Sequence, residues 1–221
     1  MIISLLTNPR AFFGTLCKQE PSLKNPALII LGMALIGSGT GYMMGELSGK
    51  LFSGMMEGLA TIAAVSAAIS TFISTFFIWL IAAVILFGLQ KVMQGTGTFK
   101  RVMEICGYGM IPLVFATIIS LLLSAYYIPQ ADISPIRSTN PEEISKAAMS
   151  MMLDPALHEF SIISAIITII FLIWVANIWS IGVETCCGLQ PKKALITAGL
   201  PVLIYSAYTL ASLLLFTGGP A

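Results

Sequence analysis

From Gly58 to Gln90 the chain runs for 33 residues without one charged side chain. As a helix rising 1.5 Å per residue, that is about 50 Å, more than the roughly 30 Å hydrocarbon core of a bilayer. Nothing in lipid can hydrogen-bond a peptide group, so such a run is stable only where its backbone bonds close within the segment. The remaining sequence follows suit: 57% of 221 residues are hydrophobic and 10% charged, against about a quarter charged in soluble domains. A soluble fold would lack the polar residues to cover its surface. A net charge of +1 scattered over loops also argues against nucleic acid as a partner.

Apolar segments are expected to cross the membrane at about 26–47, within 58–90, and at 102–128, 159–182 and 194–216. This predicts an all-α bundle: a five-helix transmembrane domain over 26–221, an interfacial lead-in over 1–25, and an outer loop over 129–158. In the lead-in, Asn8 reads as an N-cap and Pro9 as the first helical residue. Phe12, Phe13 and Leu16 share one face, with Arg10, Lys18 and Gln19 around the other, as in a helix lying among headgroups. The lead-in lacks a basic start and a small-residue cleavage site, so it does not read as a cleaved signal.

Gly37, Gly41, Gly45 and Gly49 recur every four residues in the first span, and Ala60, Ala64, Ala68, Thr71 and Thr75 offer a small-residue face in the second. Lipid gives no hydrophobic drive for helix association, so close backbone approach along such stripes holds helices together. The two stripes are expected to meet; the alternative is that the glycines mark an unwound or dimer-forming segment. Pro112 and Pro201 are expected to kink their spans by freeing the carbonyls of Tyr108 and Thr197. Both follow a basic pair and precede a Leu run, a loose echo that would make helices two-three and four-five parallel repeats. In the outer loop Asn140, Pro141 and Glu143 form a capping pattern for a short amphipathic helix carrying Ile144, Ala147, Ala148, Met151 and Met152.

Arg10, Lys18, Lys24, Lys91, Lys100, Arg101, Lys192 and Lys193 fall on one side of this topology, and Lys50, Arg137 and Lys146 on the other. Eight against three places the N-terminus in the cytosol and the C-terminus outside a cell membrane.

The residues that stand out chemically lie on that cytosolic side. Gly95-Thr96-Gly97 followed by Lys100 and Arg101 offers amides and charge for one lipid phosphate, or simply a tight turn beside cations that fix topology. Glu104 and Tyr108 continue the same helix. Glu184, seven residues after Asn177 and on its face, is expected to pair with one of Lys100, Arg101, Lys192 or Lys193 and so lock helix ends. Cys17, Cys106, Cys186 and Cys187 are expected as free thiols, since the compartment is reducing and no C-x-x-C is present. His158, beside Asp154 and Glu159, reads as a surface histidine. No HExxH, G-x-S-x-G, Walker or dinucleotide fingerprint occurs, so no cofactor, metal or enzymatic activity is expected.

Asn8-Pro9…Phe12-Phe13, Pro21-Ser22-Leu23-Lys24-Asn25-Pro26, Gly95-x-Gly97-Thr98-Phe99-Lys100-Arg101 with Gly107-Tyr108-x-x-x-Pro112, and Gly182-Val183-Glu184-x-x-x-Gly188-Leu189 with Lys193-Ala194 and Pro201 together resemble the Yip domain family. The resemblance implies a polytopic five-helix protein with a cytosolic N-terminus; eukaryotic relatives are associated with Golgi and endoplasmic reticulum membranes, vesicle trafficking and prenylated Rab GTPases. About 25 residues precede the first span here in place of a long hydrophilic region, so a minimal prokaryotic-like member without the GTPase partner is expected. The function expected is non-enzymatic: binding lipid headgroups or a protein partner, a second copy included, at the cytosolic face and organising membrane. The competing class is a small-solute or ion channel or transporter built on the two proline kinks.

Overall fold

The computed structural model describes residues 2–54, 58–136 and 140–217. Arg137, one of the three outer cations, and the last four residues lie outside the described residues. The regular structure among the described residues is helical: α1 (Ile2–Thr7), α2 (Pro9–Leu16), α3 (Lys24–Leu51), α4 (Leu59–Val92), α5 (Phe99–Gly109), α6 (Ile111–Tyr127), α7 (Pro141–Met152), α8 (Pro155–Cys187) and α9 (Pro191–Thr217), with a short 3₁₀ turn at Ile128–Gln130. Among the described residues five stretches are long and apolar enough to cross a membrane: α3, α4, α6 together with the 3₁₀ turn, α8 and α9.

The third predicted span is corrected. Instead of one kinked helix there are two, α5 and α6, parted at Met110, whose amide donates to Cys106 O at 3.1 Å and Gly107 O at 3.3 Å. Pro112 has no amide to give to Tyr108 O, and its ring obstructs the preceding turn, so the helix ends and restarts. Pro201 behaves differently: α9 continues through it. The two proline-bearing segments therefore differ at the proline itself.

The helices contribute to two compact units, one of Met1–Met33, Thr75–Phe115 and Thr168–Ala207, the other of Ala34–Ser74, Ala116–Ile167 and Tyr208–Ala221. In the first, the lead-in is part of the core. Asn8 accepts the Ala11 amide at 3.2 Å and Pro9 opens α2, but the apolar face is not left to headgroups. Leu5 and Phe13 are fully buried together with Val102, Ile105, Val175, Ile178 and Val183. Protein covers that face because Gly182 of α8 leaves room for the Phe13 ring, which a Cβ at 182 would meet at 3.1 Å.

In the second unit the α3 glycines face α4. A Cβ at Gly45 would meet Ala63 O at 2.5 Å and Ala67 Cβ at 2.6 Å, and one at Gly49 would meet Ala60 Cα at 2.5 Å. At Gly41 it would strike Thr71 and lie 3.0 Å from Ala67 O, whereas Gly37 is looser, 3.5 Å from Thr117. The α4 face is thus Ala60, Ala63, Ala64, Ala67 and Thr71, and it drifts off Ala68 and Thr75 because 3.6 residues per turn is not four. The outer segment packs on this unit. The Asp154 carboxylate accepts the amides of Leu157 and Asp132, both at 3.1 Å, Ile136 N donates to Leu51 O at 2.7 Å, and Met151 of α7 lies against Leu47, Ile128 and Leu157.

Gly45→Leu should destabilise the protein by about 1–3 kcal/mol, the usual cost of overpacking. Gly88→Leu, where a Cβ meets nothing within 4 Å, should be tolerated. Melting of both variants in the same detergent checks this.

Candidate functional site

The site begins at a helix start. Thr98 is extended and its hydroxyl accepts the Arg101 amide at 3.3 Å, which fixes the first turn of α5 and sends its two basic residues in different directions. Lys100 is exposed. Arg101 is 7% exposed and points inward: Nη1 donates to Glu104 Oε2 at 2.5 Å and to Leu16 O at 3.1 Å, and Nη2 donates to Gln19 O. Leu16 and Gln19 lie at and just beyond the end of α2, where the dipole is negative; the Leu16 carbonyl also accepts the Gln19 amide at 3.1 Å and gives its second lone pair to the guanidinium. A guanidinium fork suits that place, having five donors and a charge it never loses. The other Glu104 oxygen accepts the Ser22 amide at 3.2 Å. One buried ion pair thereby holds both sides of the 17–22 turn. Arg101 is accordingly not the headgroup ligand that its place beside Lys100 suggested.

Burial raises the Glu104 carboxyl above its usual range, and the Ser22 amide, Arg101 and Lys100 hold it down against that. Burial likewise pushes up the Cys106 thiol. Tyr108 is buried edge-on against Phe12, ring centres 5.1 Å apart, and its hydroxyl accepts from Asn25 Nδ2 at 3.3 Å.

The glycine turn is also occupied by protein. Gln94 takes φ 70° to leave α4, and the Gly95 amide returns to Gln90 O at 2.7 Å. Thr96 donates from its amide at 2.9 Å and its hydroxyl at 3.3 Å to Cys187 O, and buried Gln90 donates to Gly97 O at 3.0 Å. A side chain at Gly95 would overlap Gln90, and one at Gly97 would overlap Cys187. The glycines serve close approach to α4 and to the end of α8, and the amides of 95 and 96 are already used, which removes the phosphate cradle. Lys91 and Lys193 add side-chain bonds to Gly95 O at 3.4 Å and Met93 O at 3.3 Å.

Glu184 is paired, but with none of the four expected bases. Arg10 reaches it from α2 in a two-pronged contact, 2.8 and 3.0 Å. Arg10 is 64% exposed and Glu184 17%, and pairs in water contribute about 0–1 kcal/mol. Asn177 is exposed and shares no hydrogen bond with Glu184 among the described residues. Next to this pair, Cys17 and Cys186 form a disulfide across 169 residues of sequence, with Cα atoms 5.3 Å apart. This corrects the expectation of four free thiols; Cys106 and Cys187 are free and buried. Among the described residues no cluster of three His, Cys, Asp or Glu side chains forms a metal site.

Sequence reasoning missed the two tryptophans that seat α5. Trp79 Nε1 donates to Met103 O at 3.1 Å and Trp179 Nε1 to Cys106 O at 3.0 Å. Gly107 and Gly109 make the room: a Cβ at 107 would lie 3.1 Å from the Trp79 nitrogen, and one at 109 would overlap the Trp179 ring. The signal was there in Gly107-Tyr108-Gly109 together with Trp79 in α4 and the two tryptophans of α8, Trp174 and Trp179, of which the second faces α5. After these contacts, Lys18, Lys24, Lys100 and Lys192 remain exposed, and none of them has an ion pair among the described residues.

The sequence profile described as the Yip1 domain matches residues 3–213. An uncharacterized protein of Methanocaldococcus jannaschii is 31% identical over 127 residues, which is 58% of this chain and 89% of that protein. No solved structure is significantly similar to the chain.

Removing one partner of a buried ion pair leaves the other charge stranded. Glu104→Ala should therefore cost about 3–5 kcal/mol and Arg10→Ala less than about 1 kcal/mol, read from detergent melts. A carboxyl whose pKa is raised by folding contributes stability that is present below its unfolded value and lost as pH rises through the folded one. The advantage of the wild type over Glu104→Gln should thus shrink as pH is raised from about 4 toward neutrality. The disulfide gives a thiol count: protein purified without reductant and then denatured should take up two maleimides, and four after reduction.

Proposed function

The chain belongs to the Yip1 domain family, and from that membership we propose a non-enzymatic, multi-pass membrane protein whose lead-in face lies in the cytosol and organises membrane by engaging anionic lipid headgroups. The observation that carries this is the division of labour among cations. Arg101, Arg10 and Lys193 are committed to carbonyls and to two carboxylates. Lys18, Lys24, Lys100 and Lys192, on the lead-in, the α3 start, the α5 start and the α9 start, stay exposed. Each lysine near an anionic leaflet contributes about 1 kcal/mol. Rigid helix starts hold their spacing, so headgroups meet a preformed array. The excess of Lys and Arg over the two sides supports the cytosolic placement.

The test is lipid preference. With all four lysines changed to Gln, competition between phosphatidylglycerol and phosphatidylcholine, read by native mass spectrometry, should lose its anionic bias, by about fivefold for each charge engaged. A variant that keeps the full bias contradicts the reading.

A further inference from the structure

A cleft of about 450 Å³ opens in the first unit, between Asn25, Leu28 and Gly32 of α3 and Tyr108, Ile111 and Phe115 of α5 and α6. It is polar at one end only. There Asn25 Nδ2 donates to the Tyr108 hydroxyl, and exposed Lys24 precedes Asn25 in the chain. The rest is apolar, on the opening turns of two membrane-spanning helices, with Leu28 and Phe115 exposed at its rim. Gly32 differs from the packed glycines of α3: a Cβ there meets nothing within 4 Å, so no protein atom fills the space beside it.

We propose that this cleft holds one acyl chain of a membrane phospholipid, with the ester region at Asn25 and Tyr108 and the phosphate toward Lys24. The volume falls within the range of about 300–1,000 Å³ usual for small-molecule sites. The cleft lies on the opening turns of membrane-spanning helices, where hydrocarbon chains are the solvent, and it pairs an apolar length with one polar end beside a lysine, the order in which a phospholipid carries its acyl chain, ester and phosphate. Asn25 has a second amide hydrogen beyond its bond to Tyr108, which an ester carbonyl can accept. The phosphate contact rests on the headgroup reading above; the seating of the chain does not.

The experiment uses the full chain in nanodiscs containing phosphatidylcholine or phosphatidylglycerol with a diazirine midway along one acyl chain. After illumination, crosslinks should concentrate on 28–32 and 111–115 relative to Ile166 and Ile173 of α8, which are at least as exposed as Phe115. Gly32→Trp, which fills the cleft, should abolish that enrichment and leave α8 labelling unchanged. Lys24→Gln should weaken cleft labelling about fivefold with the anionic lipid and not with the zwitterionic one. Even labelling of all outward helix faces in the wild type overturns the proposal whether or not Gly32→Trp folds, and so does enrichment that survives a folded Gly32→Trp. If the lysine array shows no anionic bias while both lipids label the cleft, the headgroup reading falls and the seated chain stands.

Discussion

The buried pair of Arg101 and Glu104 is the interaction on which the first unit depends. Two charges taken out of water cost several kcal/mol each after relaxation, and their attraction offsets this only where the remaining donors and acceptors are also satisfied. Here they are. The guanidinium closes the carbonyls of Leu16 and Gln19, and the carboxylate takes the Ser22 amide. The pair therefore joins α5 to the end of α2 and to the approach to α3. Phe13 in the core, Arg10 on Glu184, and the Cys17–Cys186 bond then fasten the same lead-in to α8.

That arrangement explains why α5 is a separate helix. Its mostly buried surface carries an ion pair, two glycines pressed against tryptophans and a tyrosine bonded to Asn25. A continuous span with α6 would tie those groups to the tilt and depth of a membrane helix. Pro112 ends the helix first, and the glycine turn before it, fitted against Gln90 and Cys187, fixes where α5 starts. Function in this reading comes from what remains: exposed lysines without an ion pair among the described residues, and an apolar cleft beside α5 whose polar end is Tyr108.

The spans could be read from the sequence because an uncharged run of such length has one stable fate in lipid, and the Asn8 and Asn140 caps because a side-chain acceptor before a proline-started turn acts locally. The small-residue stripe of α3 was legible for the same reason, although the register of its partner face was not. What the sequence could not decide is which way each of two neighbouring cations turns. Lys100 and Arg101 are equivalent in a sliding window, yet 3.6-residue geometry and the carbonyls of a distant helix end send one to solvent and bury the other. The disulfide was hidden by a 169-residue separation and by an argument about compartment that carries no geometry. The partner of Glu184 was sought among loops at the right depth, whereas the base came from a lead-in expected to lie apart from the bundle.

The claim at the centre is that the Arg101 fork, not merely its charge, pins the lead-in to the bundle. Arg101→Lys keeps the charge and loses the planar donors that span Leu16, Gln19 and Glu104. Amide hydrogen exchange compared between wild type and this variant tests it directly. The account predicts that amides of 16–22 lose protection while those in the middle of α4 and α8 keep theirs. Equal protection of 16–22 in the two proteins contradicts it.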